Sequence, residues 1–191
     1  RVIRELRRCR LVSRRGVGYD NVDIASATDE GIPVAYVPDA SVAEVSDHAL
    51  ALLLALSRCI VQLNAAVKAG LWRRDSTMIP KLRPTTPRLS TQTLGLVGIG
   101  RIGLSVAEKA RSLGLRIIAF DPYASKEMAS RHNITLVGFE ALLQTSDFVS
   151  IHTPLTPETR NLFSHDQLRA MTPSAYIINT ARGGIINEEA L

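Results

Sequence analysis

The sequence predicts an α/β fold in which helices cover both faces of a parallel, doubly wound sheet. Three observations predict it. Short runs rich in β-branched residues alternate with helix-period segments along most of the chain. The apolar run Leu94–Val97 opens into a turn with three glycines, and a second such run, Arg116–Phe120, follows the next helical segment. This alternation is typical of parallel sheets, because a parallel strand pair needs a crossover connection.

Length and composition are those of a globular protein. The chain has 191 residues, 46% of them hydrophobic, and a net charge of +5. Its longest apolar run, Ala49–Leu56, is far shorter than the roughly 18 residues that cross a membrane, so we expect no membrane partner. Cys9 and Cys59 lack metal-ligand spacing, so we expect no metal, reduced thiols and a cytoplasmic location. The basic residues 1–15 lack interleaved aromatic residues, which favours a solvated helix face over a nucleic-acid surface.

Residues 1–40 are interpreted as the end of a separate domain. The predicted elements are, in order, a helix end at residues 1–8, a strand at Leu11–Arg15, a helix at Asn21–Glu30 and a strand at Ile32–Val37. The first strand runs into Gly16-Val17-Gly18, a turn whose N–H groups can face a ligand. From local sequence alone, a plain strand-to-helix turn is the favoured interpretation.

Residues 41–191 are interpreted as the main domain, entered by a long helix. Ser41 and Glu44 form a capping-box pattern, and apolar residues then recur at helical spacing until Gly70. We predict one continuous linking helix over residues 41–69. Residues 71–92 hold three prolines among basic residues and predict an irregular arm, with Trp72 and Ile79 packing on a partner subunit or on their own domain.

The three glycines of the turn, Gly98, Gly100 and Gly103, fit a dinucleotide-binding pattern. The first permits a tight turn, the second lets a pyrophosphate approach the backbone, and the third lets the helix pack closely on the strand. Asp121 ends the next strand, where a carboxylate accepts ribose hydroxyls and repels a 2′-phosphate. The pattern predicts a Rossmann-type sheet that binds NAD rather than NADP. The alternative is a glycine-rich turn without a ligand.

The remaining elements bring more polar residues to the same edge of the sheet. The predicted elements are helices at Lys126–Arg131 and Phe139–Gln144, a helix from Ser164 to Met171, and strands at Ile134–Leu136, Phe148–Ile151 and Ala175–Ile178. The last two strands end in His152-Thr153-Pro154 and in Asn179–Gly184. Because ligands of doubly wound sheets bind beyond the carboxyl ends of the strands, we expect four strand ends to converge on one crevice.

Six segments in order resemble the D-isomer-specific 2-hydroxyacid dehydrogenases, the family that includes D-3-phosphoglycerate dehydrogenase. They are GVGYDNVD at residues 16–23, VAEVSDHALALLLAL, GLVGIGRIG, AFDPY, SIHTPLTPETRNL and INTARGGIINEEAL. The resemblance implies NAD-dependent hydride transfer between a 2-hydroxy acid and its 2-keto acid. It also implies a homodimer formed through the long helix and the arm, and a flavodoxin-like substrate domain of which residues 1–40 are the remnant.

The resemblance implies a role for each matching residue. N–H groups of Val17 and Gly18 would hold the substrate carboxylate, and Arg182 would be the catalytic arginine that binds the substrate carboxylate and carbonyl oxygen. The implied cofactor-binding residues are Gly98, Gly100, Arg101, Ile102, Gly103, Asp121, His152, Thr153, Pro154, Thr159, Thr180 and Ala181. Of these, Arg101 and Ile102 would contact the pyrophosphate, and Thr180 and Ala181 would lie near the nicotinamide.

One part of the family pattern is not matched. The family's general acid/base pair, a Glu and a His, follows the ARGG segment, whereas this sequence ends at Leu191. None of its four histidines, His48, His132, His152 and His165, lies in the matching context, so the chain alone is expected to bind NAD and to turn over poorly or not at all. The alternative function is an NAD-sensing corepressor scaffold like the C-terminal-binding proteins, and a relative acting on phosphite or formate is a third.

Overall fold

The computed structural model describes residues 2–71, 77 and 87–191. The chain divides into two compact units, Arg1–Glu44 and Val45–Leu191. The predicted domain division between residues 40 and 41 stays a prediction, since a compact unit is defined by packing and not by function. Most of the predicted arm, including Trp72 and Ile79, lies outside the described residues.

The first unit is a small βαβ arrangement. A 3-10 turn at Ile3–Glu5 precedes strand β1 (Val12–Arg14), helix α1 (Ile24–Asp29) and strand β2 (Val34–Tyr36), and the two strands pair in parallel. Helix α1 begins where the Asp23 carboxylate accepts the Ser26 N–H at 2.9 Å. The predicted helix end at residues 1–8 is only this 3-10 turn, because its single buried residue, Ile3, gives little packing to support a helix.

The linking segment is two helices, so the prediction of one continuous helix over residues 41–69 is wrong. Helix α2 (Val42–Ser57) and helix α3 (Ile60–Lys68) meet at a bend of 64°. Between them Cys59 has φ +52°, and a left-handed residue interrupts a right-handed helix. Among the described residues no single helix is long and apolar enough to span a membrane, although the bent pair passes that test jointly.

The second unit holds a five-stranded sheet. Its elements are β3 (Thr93–Val97), α4 (Arg101–Ser112), β4 (Arg116–Phe120), α5 (Lys126–Arg131), β5 (Thr135–Leu136), α6 (Phe139–Thr145), β6 (Phe148–Ile151), α7 (His165–Ala170) and β7 (Tyr176–Asn179). The strand order is β5-β4-β3-β6-β7 and every pair is parallel. The predicted Rossmann-type doubly wound sheet is confirmed. Its order reverses between β3 and β6, where such sheets bind ligands.

Buried side chains form a layer on each face of this sheet. One layer joins α2 and α4 to the strands and includes Leu53, Leu94 and Val106. The other joins α6 to the strands and includes Leu142 and Phe163. Since both faces are covered, the carboxyl ends of the strands are the part of the sheet left for a ligand.

Candidate functional site

The three glycines of the β3–α4 turn meet different surroundings. Gly98 has φ +93°, and a Cβ there would lie 2.9 Å from Thr153 Cγ2. A Cβ on Gly103 would collide with the carbonyl oxygen of Gly98. At Gly100, by contrast, no described atom lies within 4 Å of the Cβ position. Two glycines are therefore needed for packing, whereas Gly100 borders open space that a ligand can enter.

Helix α4 presents its N-terminus to that open space. Gly100 is its N-cap and makes no side-chain cap hydrogen bond within the described part of the chain. The N–H of Leu104 donates to the Gly100 carbonyl at 2.9 Å, so the amides of Ile102 and Gly103 precede the helix's first such bond. A helix start of this kind, at the positive end of the dipole, suits a pyrophosphate.

Asp121 follows β4 and is bonded to the glycine turn. Its Oδ2 accepts the N–H of Ile99 at 2.9 Å, and its Oδ1 accepts the N–H of Tyr123 at 2.9 Å. Each carboxylate oxygen has a further lone pair, so the group can still accept ribose hydroxyls. The bond to Ile99 is not visible in the sequence, because it joins residues of two different strand ends.

His152 follows β6 and is held inside the crevice. Its N–H donates to the Val97 carbonyl at 2.8 Å, and its Nε2 lies 2.9 Å from the hydroxyl oxygen of Ser150, which is buried. Burial lowers the pKa of His152 to about 4, so the imidazole is neutral near pH 7. Ser150 was not predicted as a site residue. A serine two residues before a histidine lies on the same face of a strand, which was the available signal.

Two buried hydroxyls at neighbouring strand ends have no partner. Thr153 Oγ1 follows β6, Thr180 Oγ1 follows β7, and neither makes a hydrogen bond among the described residues. A buried polar group without a partner costs about 1–3 kcal/mol. The two hydroxyls are therefore suited to bind a polar ligand in this crevice, or water molecules that such a ligand displaces.

The loop after Thr153 is stabilised by its own hydroxyls. Thr159 Oγ1 donates to the Pro154 carbonyl at 2.6 Å and accepts the N–H of Thr156 at 2.7 Å. The hydroxyl of Thr159 is thus used within the loop. Its predicted contact with the cofactor stays a prediction, as does that of Pro154.

Arg182 lies in the turn after β7 and is half-buried. Its Nη1 donates to the Ala181 carbonyl at 2.8 Å. The side chain of Asn179 bonds the same turn, with Oδ1 accepting the Ala181 N–H at 2.9 Å and Nδ2 donating to the Arg182 carbonyl at 2.8 Å. Asn179 was not predicted as a site residue, although an asparagine at a strand end before a turn was the available signal.

Val17 and Gly18 belong to the first unit, in the turn after β1. The turn opens at Gly16, which has φ +126° and whose carbonyl accepts the N–H of Val37 at 3.3 Å. The guanidinium of Arg14 lies against Gly16, with Nη1 3.5 Å from the Cβ position. Binding of a carboxylate by the N–H groups of Val17 and Gly18 stays a prediction.

Known proteins match both the sequence and this geometry. The sequence model of the D-isomer specific 2-hydroxyacid dehydrogenase, NAD binding domain, matches residues 50–191. The chain belongs to the D-isomer-specific 2-hydroxyacid dehydrogenase family. The predicted family and the predicted cofactor, NAD, are confirmed.

Relatives of this family share most of the chain. The D-3-phosphoglycerate dehydrogenase of Synechocystis sp. is 41% identical over 182 residues, which are 95% of this chain and 32% of the relative. The holo form of Rhodotorula graminis D-mandelate dehydrogenase has a TM-score of 0.91 at 27% identity, covering 99% of this chain and 56% of that one. Aquifex aeolicus D-lactate dehydrogenase, solved with NAD and lactic acid, has a TM-score of 0.85 at 26% identity, covering 98% and 61%. The chain thus spans about a third of the length of its curated relative.

Proposed function

We propose that the protein containing this chain is an NAD-dependent dehydrogenase that interconverts a D-2-hydroxy acid and its 2-keto acid. The observation that carries the proposal is the placement of Arg182. This arginine follows the carboxyl end of β7, on the side of the sheet where β3 and β4 place the glycine turn and Asp121. D-3-phosphoglycerate is the first substrate candidate, because the Synechocystis relative carries that name.

The residues present fit NAD. The N-terminus of α4 would hold the pyrophosphate over Gly100, Asp121 would accept the adenosine ribose hydroxyls, and Thr153 and Thr180 would offer their unpartnered hydroxyls to the cofactor. NAD, when bound, supplies the nicotinamide that takes or gives a hydride.

Arg182 would then act on the substrate. The planar fork of its guanidinium can bind the carboxylate and the carbonyl oxygen of a 2-keto acid. One of its N–H groups is already bonded to the Ala181 carbonyl, which fixes the plane of the fork. Because the residue is half-buried, its charge stabilises the developing alkoxide more strongly than it would in water.

The activity is tested in the protein that contains this chain, by NADH oxidation with a panel of 2-keto acids that includes the keto acid of D-3-phosphoglycerate. We expect Arg182→Met to lower kcat/KM by about 10²–10³-fold while NADH still binds. The matched control is Arg169→Met, which removes an exposed arginine of α7 and should leave the rate unchanged. Undiminished turnover by Arg182→Met would refute the proposed role. NADH binding without turnover by the wild type would favour the corepressor scaffold.

We further propose that the protein forms a homodimer with α3 in the interface. Ile60 and Val67 lie on one face of α3 and are 51% and 54% exposed, and the neighbouring Val61 is 67% exposed. Exposed apolar residues grouped in this way mark interaction sites. In sedimentation equilibrium we expect Val61→Glu to shift the protein toward monomer, whereas Tyr123→Glu, at a residue 91% exposed elsewhere on the surface, should not. A monomeric wild type would refute the dimer.

A further inference from the structure

Asn179 ends β7 and is held in the sheet by its backbone. It is paired with Ile151, the last residue of β6. The residues after it leave the sheet as a turn, and its side chain is bonded into that turn. The backbone of Asn179 is therefore fixed by the sheet, and its side chain holds the turn that carries Arg182.

Both ends of the Asn179 carboxamide are used. The bond from the Ala181 N–H to Oδ1, at 2.9 Å, is an Asx turn, a structure that asparagine forms readily. The bond from Nδ2 to the Arg182 carbonyl, at 2.8 Å, holds the peptide group on the far side of Arg182. The backbone of Ala181 and Arg182 thus lies between two bonds from one side chain.

Among the described residues, the backbone hydrogen bonds that join this turn to the neighbouring loop lie beyond Arg182. The N–H of Asn161 donates to the Gly184 carbonyl at 2.9 Å, and the N–H of Phe163 donates to the Ile185 carbonyl at 3.1 Å. The second donor to the Arg182 carbonyl is the N–H of Ile185, at 3.4 Å, which is a weak bond. Without the carboxamide, the Ala181 N–H would lose its bond of 2.9 Å and the Arg182 carbonyl its bond of 2.8 Å.

We propose that Asn179 is a positioning residue for Arg182, whose guanidinium it orients toward the carboxylate and carbonyl oxygen of the 2-keto acid. This inference rests on the proposed function. The guanidinium is bonded to the Ala181 carbonyl, so its direction follows the geometry of the peptide groups that Asn179 holds. Only asparagine supplies both an acceptor and a donor at this reach. Aspartate accepts but cannot donate, and glutamine is one methylene longer.

The test compares Asn179→Ala and Asn179→Asp with Asn187→Ala in the protein that contains this chain. Asn187 is a matched control, because its Oδ1 accepts the Glu189 N–H at 3.1 Å in the same kind of turn, in a segment without predicted site residues. Steady-state kinetics gives kcat and KM for the keto acid. The Kd of ADP-ribose reports the glycine turn and Asp121 alone, and shows that each variant is folded.

We expect Asn179→Ala to lower kcat by on the order of 10²-fold, the loss typical of a group displaced by about 1 Å. Asn179→Asp should stay at least about tenfold below wild type, because it lacks the donor. The Kd of ADP-ribose should change by less than about twofold in all three variants, and Asn187→Ala should keep its kcat. A normal kcat in Asn179→Ala would overturn the inference, and so would an ADP-ribose Kd that rises in step with the loss of kcat.

A second readout separates this inference from the proposed function. If the wild type reduces no 2-keto acid, the proposed dehydrogenase activity is refuted, and the role of Asn179 has to be measured without kinetics. Hydrogen exchange of the Ala181 amide then decides whether the carboxamide holds the turn. Faster exchange in Asn179→Ala, but not in Asn187→Ala, supports the turn-holding role, and unchanged exchange overturns it.

Discussion

Single glycines in the β3–α4 turn separate the demands of packing from those of ligand binding. Gly100→Ala adds a methyl group to open space at an extended backbone, φ −67° and ψ −166°. We expect little change in unfolding temperature. The Kd for NADH should rise by about tenfold or more, because the methyl group occupies the space through which the pyrophosphate approaches the backbone. NADH titration and thermal unfolding measure the two effects.

Gly103→Ala is the matched contrast in the same turn. Its Cβ would collide with the Gly98 carbonyl, so the helix must shift from the strand. We expect a loss of about 1–3 kcal/mol in the free energy of unfolding, as for other overpacked sites. Equal thermal stability of Gly100→Ala and Gly103→Ala would show that the turn can relieve the contact with the Gly98 carbonyl at little cost in free energy.

His152 makes the stability of the second unit depend on pH. Its pKa is about 4 in the folded state and about 6.5 when unfolded, so between these values the unfolded chain binds more protons. Its contribution is complete above pH 6.5 and is lost as the pH falls toward 4. From pH 7.5 to 5.0 we expect urea unfolding to show a loss of about 2 kcal/mol that His152→Asn abolishes. The control His165→Asn, at an exposed residue, should retain the full dependence.

At the scale of elements, one lysine connects the first turns of α2 to α4. Lys109 Nζ lies 2.6 Å from Ser46 Oγ and 2.5 Å from Asp47 Oδ1, and Ser46 is fully buried. We expect Lys109→Met to lower the free energy of unfolding by about 1 kcal/mol. The control Glu127→Gln breaks an exposed pair with Arg131 on α5 and should cost less than about 0.5 kcal/mol. Equal losses of unfolding free energy for Lys109→Met and Glu127→Gln in urea would contradict a stabilising role for the buried Lys109–Ser46 bond.

Elements with a complete local signal were predicted at their true bounds, and those shaped by distant contacts were not. The strands Arg116–Phe120 and Phe148–Ile151 agree with the structure because each is an apolar run bounded by polar residues. The helix Lys126–Arg131 agrees because Ser125 caps its start. The bend at Cys59 was missed because helical spacing continues through it, from Leu56 to Ile60. A buried cysteine with positive φ carries no local signature of a break.

The candidate site was predictable where a motif carries it and not where groups from different strand ends meet. The glycines and Asp121 follow from spacing alone. The bond between the Asp121 carboxylate and the Ile99 N–H depends on how the sheet positions the ends of β4 and β3. No pattern in one sequence specifies such distances.

At the scale of the whole molecule, cofactor binding should stabilise the fold that forms the site. A ligand that binds only the folded state adds about 2.7 kcal/mol at 100 times its Kd. We expect NADH to raise the unfolding temperature and NADPH at the same concentration to raise it far less, because the Asp121 carboxylate repels a 2′-phosphate. Differential scanning fluorimetry measures both, and equal shifts would refute the predicted preference for NAD.

The hydrogen bond from Ile99 to Asp121 has a consequence for how such a protein could change its coenzyme. The Asp121 carboxylate, which distinguishes NAD from NADP, also holds the glycine turn that binds the pyrophosphate common to both coenzymes. A lineage that exchanged Asp121 for a small neutral residue would relax both at once, and its intermediates would handle neither coenzyme well. Coenzyme preference in this fold is therefore coupled to the conformation of the glycine turn. A redesign that changes the ribose pocket to favour NADP must also supply a new hydrogen-bond acceptor for the Ile99 amide.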